Sequence, residues 1–264
     1  KSRLRKVRRM RGGGNGNLPA HGGLYGGGGG GADNSYGENG NGGDGVVVVK
    51  YLTGTFDAPE DPDIMDASGN GNHGVSMGTT YTPEGKLGGA RDFDGTDDYI
   101  TIGTETQFAL TTYTISGWFK TSDSSDFKAI TSRNSSSTNR TWWISIWKTG
   151  GGTHPDGSLV WRTSSGGVAS DVDLSSGFNV ANGEWHHYAA VLENNVKAEL
   201  YINGQLVDSS TSVSTPDTPS VDSIIGNDPS VSGRFFNGII DELRISNTTR
   251  TPDEIRQEYE IGRR

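Results

Sequence analysis

The segment Ala90-Arg91-Asp92-Phe93-Asp94-Gly95-Thr96-Asp97-Asp98-Tyr99-Ile100 places four carboxylates around one Gly-Thr turn. A second acidic segment, Ile239-Ile240-Asp241-Glu242-Leu243-Arg244-Ile245, lies near the other end of the chain. Carboxylates and the carbonyls that a glycine turn exposes are hard oxygen donors, the ligand type that calcium takes. The same residues also read as solvated turn acids, with a salt bridge from Asp241 or Glu242 to Arg91 or Arg244.

A different chemistry is offered by Trp142-Trp143-Ile144-Ser145-Ile146-Trp147. Alternation along a strand puts Trp143 and Trp147 on one face and Ile144 and Ile146 on the other. Aromatics on a concave sheet, Trp161 among them, are the residues that stack on sugar rings. The competing reading buries one face in a core and the other under a loop. Trp118 and Trp185 read as core.

His186 and His187 are adjacent on a predicted strand, so they point to opposite faces and cannot chelate one metal together. His73 and His154 fall on predicted loops, and no spacing among the histidines matches a zinc site. Glycoside hydrolysis needs two carboxylates facing each other across a cleft. Asp241-Glu242 puts its acids on opposite faces, and Asp171-Val172-Asp173 lacks a glutamate. No Ser/His/Asp arrangement and no phosphate loop after a strand is present. These observations favour a non-enzyme. Sequons at Asn134, Asn139 and Asn247 mark positions expected to be exposed.

The elements that would position these groups are short strands separated by Gly/Asn/Asp/Ser turns, the pattern of an all-β sandwich. Tyr113–Lys120, Trp142–Trp147 and Trp185–Leu192 read as strands. Ala198–Ile202 and Gln205–Asp208 flank Asn203-Gly204, the two-residue hairpin signal. Thr251-Pro252-Asp253-Glu254 combines an N-cap, a first-turn proline and a capping-box glutamate. Ile255 and Tyr259 share a face four residues apart. This predicts one short C-terminal helix docked on the sandwich.

Composition divides the chain into 1–11, 12–51 and 52–264. Residues 1–11 carry seven Lys/Arg and no acid, while the whole chain has a net charge of −9, leaving residues 12–264 at −16. A basic arm on an acidic body is able to meet an anionic surface or nucleic acid, or is a solvated tail. The acidic body argues against nucleic-acid binding outside that arm. Residues 12–45 are roughly half glycine and run into Val46-Val47-Val48-Val49-Lys50-Tyr51, a predicted buried strand. Glycine-rich chain is flexible unless many copies pack together. The chain has no cysteine, which excludes disulfides and cysteine-ligated zinc. No apolar run reaches the ~20 residues of a membrane span. The basic start is not followed by an apolar stretch, so no signal peptide is read.

Several segments together resemble the laminin-G-like, concanavalin A-like lectin/glucanase superfamily over roughly residues 52–260. They are Asp66–Gly74, Phe93–Ile100, Thr114–Lys120, Gly183–Ala189, Leu200–Gly204 and Gly238–Ile245. The resemblance implies an all-β, two-sheet antiparallel jelly roll. It also implies a structural calcium ion held by carbonyls of the Gly95 loop and an acid of the late strand. Carried onto matching positions, that acid is Asp241, with Asp94 and Asp97 as further candidates. Catalytic members carry a Glu-x-Asp-x-x-Glu cluster that is missing here. Residues 12–51 resemble the glycine-rich domains of phage tail-fibre and adhesin proteins.

Three functions remain open on this reading. The first is a non-catalytic surface module of a virion or cell that binds a glycan or host-surface ligand through Trp143, Trp147 and Trp161. The second is a structural subunit of a fibre, filament or capsid, a homo-oligomer or larger assembly built through residues 1–51. The third is a glycoside hydrolase or its accessory carbohydrate-binding module. The expected location is extracellular, on a cell surface or on a virion surface.

Overall fold

Strands with one apolar face must bury that face, and two such sheets do so against each other. The protein, described by a computed structural model, does this with sixteen strands and one helix among the described residues. Residues 64–102 and 106–263 are described in full and 46–50 by their backbone. The basic arm and the glycine tract through residue 45 lie outside the described residues.

The strands are β1 Val46–Lys50, β2 Met65–Asp66, β3 Gly74–Met77, β4 Thr80–Thr82, β5 Ala90–Asp94, β6 Tyr99–Ile102, β7 Tyr113–Lys120 and β8 Lys128–Ser136. They continue with β9 Asn139–Ile146, β10 Leu159–Ser165, β11 Val168–Ser175, β12 Trp185–Glu193, β13 Lys197–Ile202, β14 Gln205–Ser210, β15 Ser223–Ile225 and β16 Asn237–Ser246. One sheet runs β14-β13-β12-β7-β16-β1-β2, with β5 on β16 and β4 on β5. The other runs β11-β10-β9-β8-β15-β6-β3. This is the expected antiparallel jelly-roll sandwich. The Val46–Lys50 strand is hydrogen-bonded between β16 and β2, so the end of the glycine-rich segment is part of the sheet.

The core lies between the sheets and draws on both. Tyr113, Ile115, Phe119 and Tyr188 from one sheet meet Ile100, Trp142, Ile144 and Trp161 from the other. Trp161 and Trp142 each pack edge-on against Tyr113, at 6.2 and 5.6 Å between ring centroids. Trp161 is fully buried here, because its partner across the strand pair is Ile144 and both face inward.

The Asn203-Gly204 hairpin forms as expected, with both residues at positive φ (52° and 73°). The helix α1 spans Pro252–Arg263. Its capping box closes both ways. The Glu254 amide donates to Thr251 Oγ1 at 3.3 Å, and the Thr251 amide donates to Glu254 Oε2 at 2.8 Å. Such a cap contributes about 1 kcal/mol.

The helix packs on the outer face of the larger sheet. Ile255 is buried with Ala189, Val191 and Tyr201. Tyr259 stacks on Trp118 at 5.7 Å. Trp118 is therefore buried, but under the helix rather than between the sheets. Beside it, Glu258 pairs with Arg244 at 2.9 Å and with His187 at 3.6 Å, and Arg244 also pairs with Glu242 at 2.7 Å.

His186 and His187 point to opposite faces, as alternation requires. His186 sits against Phe119 with its ring nitrogens bonded to Asn182 and Asn203. Burial pushes its pKa down.

The β15–β16 connection, residues 226–236, folds back over the outer face of the smaller sheet. Gly226 begins it at φ +83°, and its carbonyl accepts the Phe236 amide at 2.8 Å. A Cβ at Gly226 would lie 2.3 Å from Phe93 Cε1.

Two predictions follow from this packing. Gly226→Ala meets both a left-handed backbone and a rigid core ring. Overpacking alone costs roughly 1–3 kcal/mol, so chemical denaturation should show at least that loss. The second concerns Glu258. Burial alone would raise its pKa, but the His187 hydrogen bond and the Arg244 charge outweigh burial and hold it at about 2. A lowered carboxylate pKa gives stability that is present above the unfolded value and lost as pH falls through the folded one. Helix docking should weaken between about pH 4.5 and 2, read as a change in Trp118 fluorescence; Glu258→Gln should remove that transition and weaken docking at neutral pH.

Candidate functional site

Strand register across the smaller sheet assembles one continuous outer row. Thr101 pairs with Val75 and with Ile224, Ile224 with Ser132, Ser132 with Trp143, Trp143 with Arg162, and Arg162 with Asp173. The inward neighbours of these residues form the core, so period-2 alternation commits the row to the opposite face.

At one end of this row is an open cleft of about 420 Å³, lined by Tyr99, Thr101, Asp222, Asn227, Val231 and Phe235 among others. Tyr99 and Phe235 are half-buried, and Asp222 is exposed. Exposed Val75 and Met77, on the neighbouring strand β3, face the same side. Two partly open aromatic rings beside a carboxylate and a carboxamide suit a ligand with apolar faces and many hydroxyls.

Asp228 fixes the floor of the cleft. Its Oδ2 accepts from Arg234 at 2.6 Å, and its Oδ1 accepts from Asn134 Nδ2 at 2.9 Å and Ser230 Oγ at 2.6 Å. The Ser132 hydroxyl donates to the Asn227 carbonyl at 2.7 Å. Asn134 is thus buried in this network, contrary to the exposure expected of its sequon, because its amide is the partner of Asp228. Asn139 and Asn247 are exposed.

At the other end, Phe127, Trp143, Trp147 and Val160 form a separate small apolar cluster. Trp143 and Trp147 share this outer face, as alternation requires. They are 2% and 4% exposed, because cations cover them. Arg234, Arg140 and Arg162 stand 5.4, 5.9 and 5.9 Å from the Trp143 ring centre, and Arg162 also lies 4.7 Å from that of Trp147. Asp173 holds Arg162 in a two-point bond, at 2.8 and 2.9 Å, and its Oδ1 also accepts from His154 Nε2 at 2.8 Å. The Trp161 ring belongs to the interior and does not reach this face.

The acidic turn is a third locus. Asp94, Asp97 and Asp98 bring carboxylate oxygens within 4.8 Å of one another. Gly95 turns the chain at φ +78°. Asp94 Oδ1 caps the turn by accepting the Thr96 amide at 2.8 Å, and Asp98 Oδ2 accepts the Asp94 amide at 2.9 Å. Burial, and then the charges of Asp94, Asp97 and Asp92, push the Asp98 pKa up despite that hydrogen bond. In charge and donor type, this set fits a hard divalent cation.

Asp241 is placed differently. Its Oδ2 accepts the Lys86 and Leu87 amides at 2.6 and 2.9 Å, and its Oδ1 accepts the Glu242 amide at 2.8 Å. The residue sits where β16 bulges against β7, with Glu242 at φ +48°. Asp241 clamps the Lys86–Leu87 loop to that bulge and is not in the acidic group at the turn. Glu242, its neighbour, forms the salt bridge to Arg244.

Tyr99, Phe235, Asp222, Arg140, Arg162 and Arg234 were not legible as site residues. They are scattered between residues 99 and 235, and only register and the folded 226–236 loop bring them together. No helix among the described residues is long and apolar enough to cross a membrane.

Residues 94–256 match the family described as the concanavalin A-like lectin/glucanases superfamily. No curated protein matches the sequence. Among solved structures, one similar fold is domain 4 of AbnA, a GH43 extracellular arabinanase from Geobacillus stearothermophilus, in complex with arabinotriose. It is 23% identical with a TM-score of 0.55, over 73% of this chain and 90% of that one. The binding domain of Paraclostridial Mosquitocidal Protein 1 is 18% identical with a TM-score of 0.61, over 81% of this chain and 52% of that one. The botulinum neurotoxin serotype G binding domain is 15% identical with a TM-score of 0.62, over 81% and 50%. This chain thus spans about half of each toxin domain. At these identities the likeness is one of fold. With the family match covering most of the sandwich, the chain belongs to the concanavalin A-like lectin/glucanase superfamily.

Proposed function

We infer that this chain is a non-catalytic glycan-recognition module, with the outer face of the smaller sheet as its binding face. The observation that carries this reading is the open cleft flanked by Tyr99 and Phe235 and edged by Asp222 and Asn227. Aromatic rings present flat apolar surface to the carbon face of a sugar, and the adjacent carboxylate and carboxamide accept and donate to its hydroxyls. The arabinotriose complex of the AbnA domain supports a carbohydrate ligand for this kind of sandwich. Asp228 is the buried carboxylate at the cleft. Its oxygens are already engaged by Arg234, Asn134 and Ser230, which supports binding over acid–base work.

Trp143 and Trp147 serve this reading as the floor under the cations rather than as the stacking surface. Display on a cell or virion surface, with residues 1–51 joining neighbouring copies, belongs to the same reading and rests on the sequence of that segment. A structural calcium ion at the Gly95 turn would be held by Asp94, Asp97 and Asp98, supplying charge neutralisation to a crowded acidic turn.

A glycan array followed by calorimetric titration tests the reading. Tyr99→Ala and Phe235→Ala should each weaken binding about tenfold or more, since one stacked ring is worth about 0.5–1.5 kcal/mol beyond its buried area. Unchanged affinity in the double variant would place the ligand elsewhere, and no hit on the array would remove the recognition function.

Calcium is tested separately by thermal unfolding. At ~100 times its dissociation constant, a bound ion stabilises by about 2.7 kcal/mol. Calcium should raise Tm by several degrees, EDTA should reverse the shift, and Asp98→Asn should abolish it; an unchanged Tm would leave the turn as an acidic cluster without an ion.

A further inference from the structure

The cationic end of the same face carries more positive charge than its own acids pair with. Arg162 is paired with Asp173, Arg234 with Asp228, and Lys128 with Asp123 at 3.3 Å. Among the described residues, no carboxylate lies within ion-pair distance of Arg140 or Lys148, and Asp228 and Asp173 act on Arg140 only from farther off. Arg140 donates to the Ser137 carbonyl, and its Nε is buried without an acceptor. Lys148 Nζ lies over the Phe127 ring at 5.2 Å. The nearby Asp126 and Asp156 accept the Phe127 and Gly150 backbone amides on flanking loops. Burial, and then the charge of Arg162 with that of Arg234, push the Arg140 pKa down to about 10, against the opposing charges of Asp228 and Asp173.

This patch sits on a body that is strongly acidic. Residues 12–264 carry a net −16. Asp173 and Asp228 neutralise two of the three guanidinium groups, and Arg140, beside them over the same indole, is left without an ion pair among the described residues. An anion would supply that pair, and the guanidinium fork matches carboxylate and sulfate geometry. The cluster is also short of acceptors. Besides Arg140 Nε, the Trp143 Nε1 is buried with no partner among the described residues.

The geometry points to an acidic polysaccharide as the ligand of this face, one whose sugar rings enter the Tyr99–Phe235 cleft while its carboxylate or sulfate groups meet the half-buried Arg162, Arg234 and Lys148, with the buried Arg140 adding its charge behind them. This rests on the glycan-recognition reading and adds the charge class of the sugar. The two ends are linked physically. Asp228 forms part of the cleft lining and also holds Arg234, which lies over Trp143. From Thr101 on β6 to Arg162 on β10 the row crosses four strand spacings, about 19 Å at ~4.8 Å each. That length suits several linked sugars.

The test uses the full chain against polygalacturonate for carboxylate, dextran sulfate for sulfate, and neutral dextran and arabinan as uncharged probes. The basic arm carries seven Lys/Arg and would itself attract polyanions, so a variant with Lys1, Arg3, Arg5, Lys6, Arg8, Arg9 and Arg11 changed to Gln separates its contribution. Expected is binding to at least one anionic polymer that survives neutralising the arm. That binding should weaken at least tenfold in Arg140→Gln/Lys148→Gln and fall with added salt. Lys148→Glu alone, at a half-buried surface position, should give a partial loss, keeping the test valid if the Arg140 change disturbs folding.

The polymer that binds identifies carboxylate or sulfate. Anionic binding lost with the arm and kept in Arg140→Gln/Lys148→Gln would overturn the inference. Binding of neutral polymers alone would also overturn it while leaving glycan recognition intact, and binding of no polymer of either class would count against recognition itself.

Discussion

Burial of one row of side chains decides the rest of this protein. In the smaller sheet, Ile100, Ile225, Ile144, Trp161 and Leu174 must face the core. A shift of one residue in any strand would turn its apolar set to solvent. The register is therefore fixed by the hydrophobic demand of the inner face. Once it is fixed, the outer face has no freedom. Thr101, Ile224, Ser132, Trp143, Arg162 and Asp173 come into line because their neighbours are buried. The candidate site is a by-product of core packing, put to use by what the outer residues are.

The larger sheet contributes in a different way. Strand β16 runs its whole length through that sheet and takes β5 on its first half and β1 on its second, with β7 on the other side. The change is accommodated by the bulge at Asp241–Arg244. A bulge leaves backbone groups without ladder partners, and Asp241 compensates by accepting amides from Glu242, Lys86 and Leu87. The bulge also projects Glu242 and Arg244 toward the helix, where Glu258 completes a buried charge network and lies 3.6 Å from His187. A buried ion pair of this kind stabilises weakly in net terms, yet breaking it leaves an uncompensated charge. It fixes where the helix sits.

The two aromatic groupings on the outer faces obey one rule. Trp118 under the helix and Trp143 under the arginines are each covered by something that satisfies part of their surface. For Trp118 the cover is Tyr259 and the Lys86 ammonium, at 5.7 and 4.9 Å. For Trp143 it is three guanidinium groups. Indole left open to water is costly, and cation–π stacking on its face lets a charged surface do the covering. This explains why tryptophans on a correctly assigned outer face are not themselves the exposed platform.

The sequence alone determined the sandwich, the Asn203-Gly204 hairpin, the capped C-terminal helix, the two faces of Trp142–Trp147 and the opposition of His186 to His187. All of these rest on interactions between residues close in sequence, or on the period of two that every strand obeys. The tertiary structure alone decided that Trp161 is core, that Asn134 is buried, that Asp241 clamps a loop, and that Tyr99, Phe235 and three distant arginines share a face. Each of those outcomes depends on which strand lies beside which and on where a long connection folds back. Period-2 alternation says only that a side chain is on one side or the other. What waits on that side is set by contacts between residues far apart in the chain.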